Sequence, residues 1–77
     1  MKISIYDLEK QMIPADKWEE KITEMPKKLQ KMVKEEIENP SAPFGVGFNE
    51  HIGWFAICAG QGAFLAFSER NFDDVIF

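Results

Sequence analysis

Two periodicities divide the chain. Trp18, Ile22, Met25, Leu29, Val33 and Ile37 recur at steps of 4, 3, 4, 4 and 4. That spacing lays one apolar stripe along a helix, with Lys and Glu on the other sides. Asp16 reads as its N-cap, with Glu19 three residues on as the capping-box partner. Pro26 interrupts the stripe, because inside a helix it removes a backbone hydrogen bond and clashes with the preceding turn, at a cost of roughly 3 kcal/mol. Met25 before it is biased toward extended angles. The sequence therefore predicts an N-terminal amphipathic helix that kinks or breaks near Pro26. Asn39-Pro40 closes the element, and Ser41-Ala42-Pro43 reads as a linker.

From Phe44 the period becomes two. Phe44, Val46 and Phe48 alternate with Gly45 and Gly47. Strands are predicted over 44–49, 52–59 and 63–68, joined by turns at Asn49-Glu50-His51 and Gly60-Gln61-Gly62, which makes an antiparallel meander. Residues 72–77 read as a fourth strand or a last helical turn. At the other end, Met1, Ile3 and Ile5 alternate as in a strand. Ser4 as N-cap with Ile5, Leu8 and Met12 suits a short helix over 5–12, the preferred reading, ended by Pro14. Helices followed by strands predict an α+β fold, with the N-terminal helix packed on a three-stranded antiparallel sheet.

Strand parity sharpens the picture. In the second strand Ile52, Trp54, Ala56 and Cys58 share one face, and Gly53, Phe55, Ile57 and Ala59 the other. In the third, Phe64, Ala66 and Ser68 oppose Ala63, Leu65 and Phe67. Neither face is polar, and one helix covers one face. The other is expected to be covered by the N-terminal segment, a ligand or a second protomer. A homo-oligomer with Trp54, Phe55 or Phe64 in the contact is the expected solution.

Length and charge narrow the function. The 77 residues predict a single domain, 1–77, with a small core. Residues 1–40 hold eight of the nine basic residues, and 41–77 hold eight of the ten aromatics. The net charge of −4 argues against nucleic acid, whose binding rests on basic contacts to phosphate. No apolar run is long enough to span a bilayer. The charged start, Lys2 through Asp7, lacks a secretory apolar region, and Cys58 is the one cysteine, so a cytoplasmic protein is expected.

Candidate chemistry is sparse. One His and one Cys cannot close a four-ligand metal site, so no metal and no cofactor is predicted. His51 and Cys58 are separated by roughly 23 Å if the strand between them is extended, and their odd spacing sets them on opposite faces, so they form no dyad. Glu50 and His51 at the hairpin tip offer an exposed acid–base pair, which also reads as turn composition. Gly45-Val46-Gly47 lacks the third glycine and the helix of a dinucleotide-binding turn. It reads as room for another backbone, or as a groove for a flat ligand.

These exclusions point to a small non-enzymatic protein-binding module, an inhibitor or regulator of a larger partner, acting as a homo-oligomer. The expected binding surface has Phe44, Trp54, Phe55 and Phe72 as anchors within a rim of Glu50, Asp73 and Asp74. The alternative is a homo-oligomer that binds or sequesters a small molecule between aromatics and glycines.

Overall fold

The protein mixes α and β structure, with a three-stranded antiparallel sheet at its centre. The computed structural model describes residues 1–40, 43–60 and 62–77; the linker residues 41–42 and turn residue 61 lie outside them. The sheet consists of β2 (Phe44–Asn49), β3 (Gly53–Cys58) and β4 (Phe64–Ser68), in that order. Val46 lies opposite Ala56, and Phe48 opposite Trp54. Directly opposed residues share a face, so Phe44, Val46, Phe48, Trp54 and Ala56 form one surface.

That surface is covered by helix. The helical residues come in pieces: a 3-10 turn at Ala15–Lys17, α2 (Trp18–Lys21), a second 3-10 turn at Ile22–Glu24, and α3 (Lys27–Glu38). Met25 is extended, with ψ at 152°, and Pro26 caps α3. The Gln30 side chain donates to the Met25 carbonyl at 2.8 Å and so satisfies a group that a continuous helix would have bonded internally. Trp18, Met25, Leu29 and Val33 pack with Val46, Trp54 and Ala56. Ile37, the last member of the expected stripe, is instead 40% exposed.

The opposite face is covered by the two ends of the same chain. β1 (Ile3–Ser4) pairs in parallel with β5 (Val75–Ile76), and α1 (Ile5–Glu9) follows directly. The Ser4 hydroxyl accepts the Tyr6 amide at 3.2 Å as N-cap, so residue 4 serves both the strand and the helix that the sequence offered as alternatives. Ile3, Ile5, Leu8 and Val75 pack against Ile52, Phe55, Ile57 and Leu65. The expected helix over 5–12 stops at Glu9, because Met12 bridges to Gly47 and the Ile13 amide donates to the Val46 carbonyl at 2.8 Å. Residues 72–77 do not extend the meander: Phe72–Asp74 is a 3-10 turn, and β5 belongs to the terminal pair.

Two sequence expectations change here. Strict alternation placed Phe67 beside Leu65, but the register slips between Ala56 and Ile57: Ala56 faces Phe67, whereas Ile57 faces Leu65. Ala66 is the extra residue of a bulge, so Phe67 turns to the helix-covered face. The apolar face that called for a second protomer is already covered. Phe55 is fully buried and Trp54 is 8% exposed, which leaves Phe64 as the exposed member of the expected contact. The chain's accessible area of 5026 Å² is close to the about 4,800 Å² that size scaling gives a folded monomer of this mass.

Candidate binding cleft

The expected binding residues fall at opposite ends of the sheet. Glu50, Asp73 and Asp74 lie at the hairpin end, where a polar clasp ties both chain ends to the β2–β3 turn. The Asn49 side-chain oxygen accepts the amides of His51 (2.8 Å) and Ile52 (3.2 Å), an Asx turn that shapes the corner. Arg70 donates to the Glu50 carbonyl at 2.6 Å, and the Asn71 side chain donates to the His51 carbonyl at 2.8 Å. Asn71 has φ at 54°, left-handed backbone that asparagine tolerates. His51 Nε2 lies 2.7 Å from Asp74 Oδ2, and Lys2 Nζ lies 3.8 Å from Asp74 Oδ1 and donates to the Asp73 carbonyl.

The hydrogen bond from His51, more than any other influence, holds the Asp74 carboxyl below the usual carboxylate range, with Lys2 a smaller contributor. A depressed carboxylate pKa means stability that is fully present above the ordinary value of about 3.9 and is lost as pH falls through the folded-state value. His51→Ala should therefore raise the Asp74 pKa toward the ordinary value, as read from its carboxyl NMR shift against pH. An unmoved titration would show that His51 is not the cause. The clasp engages the carboxylate of Asp74 and the carbonyls of Glu50 and Asp73, and Phe72 stands beside it, 48% exposed.

Trp54 and Phe55 do not offer a broad surface. Phe55 is core. Trp54 meets Phe48 edge to face, with ring centroids 5.5 Å apart, in a shallow cavity that it shares with Ile13, Lys21 and Glu24. The charges there pair with each other, Lys21 to Glu24 at 3.6 Å. The glycine groove is also closed. A Cβ on Gly47 would lie 2.6 Å from the Gln11 carbonyl oxygen and 2.6 Å from Phe55 Cζ, and one on Gly45 would run into Met12. The space read as a site for a flat ligand holds the chain's own residues 11–13.

Phe44 is the exception. It sits at the far end of β2, opposite Cys58, and meets Trp18 at 84° with ring centroids 5.7 Å apart. A cleft of about 500 Å³ opens beside this pair. Trp18 and Phe44 line it, and Ala15, Ile37 and Pro40 continue the apolar lining. Asp16, Glu19 and Glu36 supply all of its charge. Burial first, and then the nearby Glu36 carboxylate, push the Cys58 thiol up.

The state of Asp16 and Glu19 follows from a local correction. Asp16 and Glu19 were read as a capping pair, but the first helical turn starts earlier, at Ala15 behind Pro14, and no side chain caps it. Asp16 lies inside that turn, so the box does not form. Glu20 and Glu24 pair with Lys17 and Lys21, whereas among the described residues Asp16 and Glu19 have no hydrogen-bond or ion-pair partner. The indole Nε1 of Trp18 is buried without a partner as well. Acids three apart on either side of a tryptophan were the sequence signal for this cleft; the capping reading absorbed it.

Among the described residues no three His, Cys, Asp or Glu side chains gather as metal ligands, and no helix is long and apolar enough to cross a membrane. Fold and cleft together define a small α+β protein with an acidic cleft lined by two aromatics. Comparison with protein-family models, curated proteins and solved structures finds no match to this chain.

Proposed function

We propose that the protein is a non-enzymatic binding module that docks a basic surface of a larger partner protein in the Trp18–Phe44 cleft and thereby inhibits or regulates that partner. One observation carries the reading: Asp16 and Glu19, without a partner among the described residues, stand over an apolar cleft whose described lining includes no basic side chain. Unmatched like charge around an apolar recess favours a partner of opposite charge, through both encounter rate and specificity. In this reading the break at Met25–Pro26 lets α2 and α3 pack at different angles on the sheet, so that Trp18 and Ile37 line one recess. The cytoplasm is the proposed setting, on the ground of the lone cysteine.

The module is proposed to act as one chain. The central residues of both sheet faces are covered from within, so the surplus of strand surface no longer calls for a second protomer. Sedimentation at micromolar concentration should return 8.9 kDa. A stable dimer would restore the oligomer reading, with Phe64 on the exposed β4 edge as the first residue to test.

The binding test uses a short Lys- and Arg-containing peptide and its Glu-substituted counterpart, followed by NMR. The basic peptide should shift Trp18 and Phe44, and the acidic one should not. Reversing charge with Asp16→Lys and Glu19→Lys should weaken binding on the order of tenfold at low salt, since both residues are exposed and unpaired. Shifts at Phe72, Asp73 and His51 instead would return the binding surface to the hairpin end.

A further inference from the structure

We infer that the outward face of α3 is a second contact, for a short acidic segment of the same partner whose basic surface docks in the cleft; this rests on the docking proposed above. Lys27, Lys28, Lys31 and Lys34 are all exposed, and among the described residues none of them has an ion-pair or hydrogen-bond partner. Lys27, Lys31 and Lys34 are spaced by four and three residues. They therefore stand in one row about 10 Å long, on the side of α3 away from the buried Leu29 and Val33. Glu35, Glu36 and Glu38 follow at the C-terminal end of the helix.

This order of charge works against the helix. A helix is electropositive at its N-terminal end and electronegative at its C-terminal end, so lysines at the start and glutamates at the end both oppose the dipole. α3 has no acid in its first turn and no base in its last. Lys27 and Lys31 are like charges one turn apart, which repel. The opposite charges at i, i+4, Lys31 with Glu35 and Lys34 with Glu38, run lysine first, the weaker order, and neither pair closes. An acidic segment laid on the row offsets the repulsion that the free helix carries. The row is also short and bounded. Glu35 and Glu38 are exposed beside it, and the chain's net charge is −4. A phosphate backbone or a bilayer surface would extend over those acids and be repelled, whereas two or three carboxylates cover the lysines alone. Glu36, which lines the cleft, lies within about 14 Å of Lys27 along the helix axis, so about four extended residues of the partner connect the two contacts.

The experiment titrates the whole protein, followed by NMR, with two peptides that share a central Lys- and Arg-containing segment. On each side, four neutral residues lead to three glutamates in one peptide and to three glutamines in the other, so either direction of binding presents the outer residues to α3. The net charge of −4 by itself makes the glutamate peptide the weaker ligand. The glutamate peptide should nevertheless bind at least about threefold more tightly at low salt, and should shift the amides of residues 27–34 as well as Trp18 and Phe44. Lys27→Glu combined with Lys28→Glu should abolish that preference. The same double variant should raise the urea midpoint of the free protein, because acids suit the first turn of a helix. Equal or weaker binding of the glutamate peptide, with Trp18 and Phe44 still shifted, would overturn this inference and leave the cleft reading standing. No shift at Trp18 or Phe44 with either peptide would overturn both. A lower urea midpoint in the double variant would overturn this inference too, since the lysines would then serve the fold. So would shifts at residues 27–34 with a phosphatidylserine-containing vesicle or a short DNA duplex and none there with the glutamate peptide.

Discussion

Leu29→Ala should cost about 2–5 kcal/mol, the usual range for emptying a buried leucine site. Leu29 has no exposed area and packs within the cluster of Trp18, Met25, Val33, Val46, Trp54 and Ala56. Small domains hold about 5–15 kcal/mol in all, so this one change removes a large share of the total. Ile37 lies two turns further along the same stripe, and Ile37→Ala should cost less than about 1 kcal/mol, because the side chain is 40% exposed at the cleft. Urea unfolding of both variants checks the pair. Equal costs would mean that α3 packs on the sheet along its whole length, with Ile37 buried and the cleft closed.

Gly47→Ala should be clearly destabilising. The new Cβ would face the Gln11 carbonyl oxygen and Phe55 Cζ, both at 2.6 Å. The carbonyl is backbone, held beside β2 by the Met12–Gly47 bridge and the Ile13 bond to Val46. Phe55 is fully buried. Overpacking of this kind costs about 1–3 kcal/mol, more than the 0.4–1 kcal/mol or so gained by restricting the unfolded chain. Gly45→Ala should cost less, since it meets the flexible end of Met12, and Gly60→Ala should be close to neutral, since nothing lies within 4 Å. A Gly47→Ala variant as stable as the parent would show that residues 11–13 do not lie along β2.

Local patterns reached the elements because they depend on neighbours in the chain. The alternation of Phe44, Val46 and Phe48 with glycine marks a strand whichever sheet it joins. The spacing of Leu29 and Val33 marks a helix face wherever the helix packs. Met25 before Pro26 is pushed to extended angles by contact with the proline ring alone. The α+β class, the meander and the side of α3 that faces the core were legible for this reason.

The candidate site was less legible. Phe44 was picked as an anchor, and it does line the cleft; Phe55, picked beside it, is core. The acids chosen for the rim, Asp73 and Asp74, follow Phe72 in sequence, but Lys2 and His51 reach them across the fold. The acids that line the cleft stand beside Trp18, far from Phe44 in sequence, and only the packing of α2 against β2 joins them.

By itself, then, the sequence determined the periods, the breakpoints and the surplus of apolar strand surface. Tertiary structure decided what covers that surface. The pairing of Ile3 with Val75 and of Met12 with Gly47 joins residues far apart in the chain, and no local propensity encodes it. It also decided parity, because one extra residue at Ala66 moves Phe67 to the other face, and a bulge answers to the strand beside it rather than to its own alternation. Finally it decided which carboxylates are free. An acid's charge is written in the sequence, but its partner is whichever cation the fold brings within reach, and among the described residues Asp16 and Glu19 were brought none.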